Sequence, residues 1–166
     1  MDPLSISASI STLLVGSTRI IQLANNLRLK YQSGAMAMAN IASECSIVNV
    51  ALAQLQAVFA GADLQSYKTE QGGEDILRSF DAVTMGCSMT HSLLEQHLAD
   101  AVKRDGVESL SLSNGVSRKD KAKFVWNEDE IKDLLLQLRG YQTSLTLLLN
   151  VLHKWVMYIH YISPFS

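Results

Sequence analysis

Apolar residues recur at intervals of three and four along most of the chain, and this spacing predicts long helices with one buried face each. The predicted helices cover residues 3–31, about 35–60, about 74–104 and about 127–152. Residues 61–73 and 105–123 are polar and turn-rich, so we expect them to be connectors. No long stretch alternates with period two. The pattern therefore predicts an all-α protein, an antiparallel bundle of about four long helices.

The first predicted helix has no charged side chain between Leu4 and Thr18, which raises the question of a signal peptide or a membrane anchor. A secretory signal has basic residues before its apolar run, and here the only early charge is Asp2. A spanning helix needs about 20 mostly apolar residues, whereas serines dilute this run and Arg19 interrupts it. We therefore expect a core helix of a cytoplasmic protein, with peripheral membrane association as a secondary option.

The second predicted helix carries a single charged residue, Glu44, which suggests burial on more than one side. Four methionines at helical positions allow two interpretations. Met36, Met38, Met85 and Met89 would either form an adaptable binding face or fill the core. We favour the core.

Composition narrows the class of protein. The chain has 166 residues, a net charge of −2 and 48% hydrophobic residues, so it is long and apolar enough for one folded domain. No basic excess is present, and we expect no nucleic-acid partner. Cys45 and Cys87 lie in apolar helical contexts, which is typical of buried free thiols in a reducing compartment.

Sequence signatures of catalysis are missing from the chain. It has no phosphate-binding glycine loop, no HExxH and no CxxC. His91 and His97 do not share a helix face well, and no cysteine or carboxylate stands at ligand spacing from His153 and His160, so we expect no metal and no cofactor. No serine or threonine shows the base and orienting group that a nucleophile needs. We expect a protein that is not an enzyme and has no small-molecule substrate.

One basic run is a candidate interaction site. Arg118, Lys119, Lys121 and Lys123 precede Trp126, and together they could attract a membrane surface or an acidic partner. The alternative is a solvated loop whose charges maintain solubility, with the indole packed against the bundle. We favour the loop, and expect a protein partner or self-association of the domain.

Three stretches resemble a known family. The opening MDPLSISASISTLLVGSTRII, the segment IASECSIVNVALAQLQ and the segment KAKFVWNEDEIKDLLLQLRGYQTSLTLLLNVL are similar to fungal N-terminal domains that precede NACHT or ankyrin modules. The resemblance covers residues 1–152. It implies a HeLo-like helical domain without catalytic residues, one that acts as a death effector or signalling adaptor. A related domain also occurs in a protein of an azaphilone-pigment gene cluster.

Residues 153–166 depart from the family pattern, because the chain becomes aromatic and stops where the family continues into another helix. One hypothesis is that the predicted coding sequence reads into an intron here. The alternative is a genuine short variant whose last helix has an aromatic extension. In both cases we expect the bundle to lack its closing C-terminal helix and to expose apolar surface.

Overall fold

Four helices make up the computed structural model, which describes residues 3–30, 34–61, 73–111 and 128–162. They are α1, Pro3–Lys30; α2, Ala35–Gly61; α3, Gly73–Ser111; and α4, Glu128–Ile162. Apart from Gly34, every described residue is helical, and the described ranges contain no strand. The all-α prediction is confirmed.

The ends of α1 and α2 lie within one residue of their predicted positions, but two predicted ends are wrong. Helix α3 continues to Ser111, so residues 105–111 are helical and not part of a connector. Gly106 is the only strong helix breaker there, and a single glycine costs about 1 kcal/mol, which an established helix tolerates. Helix α4 passes the predicted end at Leu152 without a break and ends at Ile162.

The helices pack as a four-membered ring. Helix α1 contacts α2 and α3, while α4 contacts the same two helices from the other side. Only residues 31–34 separate α1 from α2, so these two helices form an antiparallel hairpin. In α3 and α4 the pairs Thr90–Gln137 and His97–Glu130 run in opposite directions, which makes a second antiparallel hairpin.

The two hairpins stack side by side with parallel neighbours. Ser17 lies against His91, and Arg19 lies against Glu95 two residues further along α1, so α1 and α3 run in the same direction. The prediction of an antiparallel bundle holds for consecutive helices. The segment between α2 and α3 joins helices that lie diagonally opposite in the ring.

The core consists of the apolar residues that recur at helical spacing along each of the four helices. On α1 these residues run from Ile6 to Leu27, and on α2, α3 and α4 they follow the predicted spacing. At one level of the core the rings of Phe59 and Phe80 pack edge to face with centroids 5.3 Å apart. Edge-to-face pairs add about 0.5–1.5 kcal/mol beyond their buried area.

Two expectations about burial are wrong. Met38 is in the core, but Met36, Met85 and Met89 are exposed by 76%, 63% and 65%. Helix α2 buries one side only, and its outward side is exposed although it has no charge. The reason is geometric: in a ring of four helices each helix turns a single face inward.

Candidate functional site

The basic run proposed from the sequence lies outside the described residues. Arg118, Lys119, Lys121, Lys123 and Trp126 all fall between α3 and α4, in residues 112–127. Their role as an interaction site stays a prediction. The described residues direct attention to the outward side of the α1–α2 hairpin instead.

The exposed residues of α2 and of the first half of α1 include no charged side chain. We call this surface the uncharged face. Its members are Ser5, Ser7, Ala8, Ser11, Thr12, Val15 and Thr18 of α1, and Met36, Asn40, Ser43, Ser46, Ile47, Val50, Ala53, Gln54, Ala57 and Ala60 of α2. Because the two helices are antiparallel, residues 5–18 lie beside the second half of α2, and the two sets form one surface.

Most charged residues of the described helices lie away from this face. The only charged residue of α2, Glu44, turns away from the face and accepts a 2.7 Å hydrogen bond from Nε of Arg139 on α4. Its side chain is 12% exposed. Helices α3 and α4 carry ten and seven charged residues, against three in α1 and one in α2. Among the described helices, charged residues are therefore concentrated on the α3–α4 hairpin.

Most of the large apolar side chains of the uncharged face lie near its middle, and Met36, 76% exposed, lies at the start of α2. Val15 of α1 and Val50 of α2 are 70% and 59% exposed. They stand equally far along their helices from the connecting residues 31–34, so the antiparallel hairpin places them at about the same level. Ile47 is exposed one turn away from Val50 on the same helix. Small and neutral polar side chains surround them, so the surface has an apolar centre and a polar margin. Interfaces between proteins have this arrangement.

The described residues include three polar pairs that join the α1–α2 hairpin to the α3–α4 hairpin. Two of them are ion pairs at the surface, Arg139–Glu44 at 2.7 Å and Arg19–Glu95 at 3.0 Å. Exposed ion pairs contribute about 0–1 kcal/mol each. The third pair, between Ser17 and His91, is buried at the centre of the bundle.

The buried pair belongs to a small polar cluster. The Ser17 hydroxyl oxygen lies 3.1 Å from His91 Nε2, and the Cys87 Sγ lies 3.8 Å from the same nitrogen. Cys87 and His91 are one turn apart on α3, so both side chains point inward from one helix face. Ser17 reaches them from α1, and burial of all three side chains is nearly complete.

Burial determines the protonation of this cluster. Desolvation lowers the pKa of His91 to about 4, so its imidazole is neutral at pH 7. Desolvation raises the pKa of Cys87 to about 12, and burial together with the charges of Cys87 and Glu44 raises the pKa of Cys45 to about 12. A protonated thiol is a poor nucleophile and a poor metal ligand. The cluster holds α1 and α3 together and offers no activated group to a substrate.

Metal ligands are not assembled in the described parts of the chain. No group of three or more His, Cys, Asp or Glu side chains lies close enough there to hold an ion. His97 pairs with Glu130 on α4 at 3.2 Å, and His91 faces the core from another side of α3.

Two described segments are long and apolar enough to cross a membrane. They are Ser5–Leu29 in α1 and Ala35–Ala60 in α2, of which 28% and 33% are buried in the bundle. Core helices of soluble proteins also meet these criteria of length and composition, so the two segments define a possibility and no location.

Comparison with known proteins gives no relative: no family model, no curated protein and no solved structure matches this chain. The resemblance to the fungal N-terminal family therefore stays a prediction. The uncharged face, by contrast, rests on the structure alone. Its only signal in the sequence was the scarcity of charge in α1 and α2, which was interpreted as burial.

Proposed function

We propose that this chain is a non-enzymatic helical interaction domain that binds protein partners through the uncharged face. The observation that carries the proposal is an exposed two-helix surface without charge, in a bundle whose described helices carry most of their charged residues on the other hairpin. Burying such a surface removes no charge from water, so it avoids the desolvation penalty of several kcal/mol that each buried ion carries.

The chemistry of the buried cluster supports a role without catalysis. Its histidine is neutral and its thiol is protonated, and both lie within the core. The resemblance to fungal domains that precede NACHT or ankyrin modules supports a more specific role, that of an N-terminal signalling adaptor or effector in the cytoplasm. Both lines agree on binding to another protein.

Face-specific capture of a partner tests the proposal. The full chain and two variants would be used as baits for proximity labelling in the organism that encodes it. Val50→Lys puts a charge in the centre of the uncharged face, and Met89→Lys puts the same charge on an equally exposed apolar residue of α3. We expect the wild type and Met89→Lys to label a common partner that Val50→Lys does not label. If Val50→Lys labels every partner that the wild type labels, the proposal is contradicted.

A second candidate function is membrane perturbation by the first helix, which the hydropathy of Ser5–Leu29 favours. Arg19 argues against stable insertion, because an arginine at the centre of a spanning helix costs about 2.5–3.5 kcal/mol. Leakage of anionic vesicles is the discriminating assay. Leakage by the wild type that Val15→Lys abolishes and Met89→Lys does not would favour this second function over protein binding.

A further inference from the structure

The size, symmetry and charge of the uncharged face lead to a particular occupant. We propose that this face is the contact between two copies of the chain, arranged about a twofold axis that passes near Val50. The inference rests on the proposed function, since it names the partner of the same surface.

The first argument is electrostatic. In a twofold contact each residue meets the same surface on the other copy, so any charged group near the axis faces its own like charge. The uncharged face has no such group among its own residues. Arg19 is exposed one turn beyond Val15, but its charge is paired within the same copy with Glu95 of α3 at 3.0 Å. Arg28 is exposed about 20 Å further along α1 from Val15. The exposed side of α3 carries charged groups: Arg78, Lys103, Glu74 and Asp75. Two copies could pair through that side only if their relative shift placed each charge opposite one of the other sign.

The second argument is area. Helix α2 has 27 residues and is about 40 Å long at 1.5 Å per residue, and the part of α1 from Ser5 to Thr18 adds about 20 Å. With each helix about 10 Å wide, the face covers about 600 Å² in projection. Side chains make the accessible area larger than the projection. The result approaches the ~800 Å² per partner of a standard stable interface.

The third argument is the distribution of apolar groups. Three of the four large apolar side chains of the face, Val15, Ile47 and Val50, lie near its middle, and the fourth, Met36, lies where α2 begins. A contact centred on the middle of the face buries the first three side chains of both copies at once and leaves the serines and amides at the margin, where water reaches them. A face that met a bilayer instead would bury the same polar groups in hydrocarbon, where each lacks a partner. The arrangement favours a second copy over a lipid surface.

Sedimentation equilibrium of the full chain over a wide concentration range tests the proposal. We expect the average mass of the wild type and of Met89→Lys to rise from one copy to two with increasing concentration. Val50→Lys places two ammonium groups at the axis, and we expect its dimer to dissociate at least about tenfold more readily. Circular dichroism would check that both variants keep the helical content of the wild type, because both changes are at exposed sites.

A mixing experiment addresses the identity of the partner. Val50→Lys and Val50→Glu should each be monomeric alone at a concentration where the wild type is dimeric, and an equimolar mixture should recover the mass of two copies. Recovery requires position 50 of one chain to lie near position 50 of the other.

Three results would overturn the inference: a wild type that stays monomeric, a dimer that Val50→Lys leaves intact, or a dimer that Met89→Lys breaks. A monomeric wild type that still labels a partner only through an intact Val50 would refute self-association while the proposed function stands. A monomeric wild type that binds anionic vesicles through this face would assign it to a lipid surface.

Discussion

Lowering the pH should destabilise this bundle, because it protonates the buried side chain of His91. Its side chain is 4% exposed, and burial lowers its pKa to about 4. The polar groups in contact with it are the Ser17 hydroxyl and the Cys87 thiol, and neither carries a negative charge at or below pH 7. A proton added to the imidazole therefore creates a buried cation without a compensating carboxylate in that cluster.

The size of the effect follows from the two pKa values. The unfolded chain binds the proton at the ordinary histidine pKa of 6.5, whereas the folded chain resists it until about 4. The difference of about 2.5 pKa units corresponds to about 3 kcal/mol at 1.36 kcal/mol per unit. This stability is fully present above pH 6.5 and is lost as the pH falls to 4. It is a large part of the 5–15 kcal/mol that holds a typical domain folded.

Urea unfolding at pH 7 and pH 4, followed by circular dichroism, would measure this loss. Carboxylates also titrate over the range, so the quantity of interest is the difference between the wild type and His91→Gln, which keeps a polar group beside Ser17. We expect the wild type to lose about 3 kcal/mol more than His91→Gln between the two pH values. His153→Gln is the control, because the side chain of His153 is exposed. We expect this variant to lose as much stability as the wild type between the two pH values. Equal losses in the wild type and His91→Gln would refute the reasoning.

Three glycines give further predictions. A Cβ at Gly86 would lie 2.6–2.7 Å from the ring of Tyr141 on α4, while a Cβ at Gly140 meets nothing within 4 Å. In thermal unfolding we expect Gly86→Ala to be destabilised by about 1 kcal/mol, because an overpacking cost of about 1–3 kcal/mol exceeds the gain in helix propensity. We expect Gly140→Ala to be stabilised by up to about 1 kcal/mol, because only the gain in helix propensity applies there. If Gly86→Ala is as stabilising as Gly140→Ala, the close contact between Gly86 of α3 and Tyr141 of α4 is refuted. Gly34 has φ of 100° and its carbonyl accepts the first hydrogen bond of α2, so Gly34→Ala should cost about 1–2 kcal/mol in chemical denaturation. An unchanged midpoint would exclude that left-handed backbone.

Much of the core was predictable because helical periodicity is a local property. The stripe on α1 and the stripe on α4 could be derived from spacing alone, and both are buried as predicted. The limits of α3 were less predictable, because the chain from Asp105 to Ser111 has no proline and the sequence gives no sign of where the helix stops.

The outward surfaces were the part that sequence could not supply. Met36, Met85 and Met89 repeat at helical spacing just as core residues do, and only the register of each helix in the bundle shows that they point outward. The low charge of α2 was interpreted as burial on several sides. A four-helix ring covers one side, so the same lack of charge becomes an exposed face with the composition of an interface.

The contact between Ser17 and His91 was also beyond sequence reasoning, since it depends on how far α3 slides along α1. The local sign was that Cys87 and His91 stand four residues apart and share a helix face. The spacing does not specify which helix packs against them. Here α1 packs in parallel, although it is not adjacent to α3 in the sequence.

The most direct test of the uncharged face is the distance between two copies of the chain, measured by pulsed electron resonance on spin labels. A label at Ala53→Cys sits on the uncharged face and a label at Gln96→Cys on the outward side of α3. Native Cys45 and Cys87 are buried and their pKa values are about 12, so they should not react with the label.

In the proposed dimer the α1–α2 layers of the two copies meet and the α3–α4 layers lie outside. Labels at position 53 should then be within roughly 20 Å of each other, and labels at position 96 should be roughly 40 Å apart, the thickness of four helices. A shorter distance between the labels at position 96 than between those at position 53, or no distance between copies at all, would contradict the account.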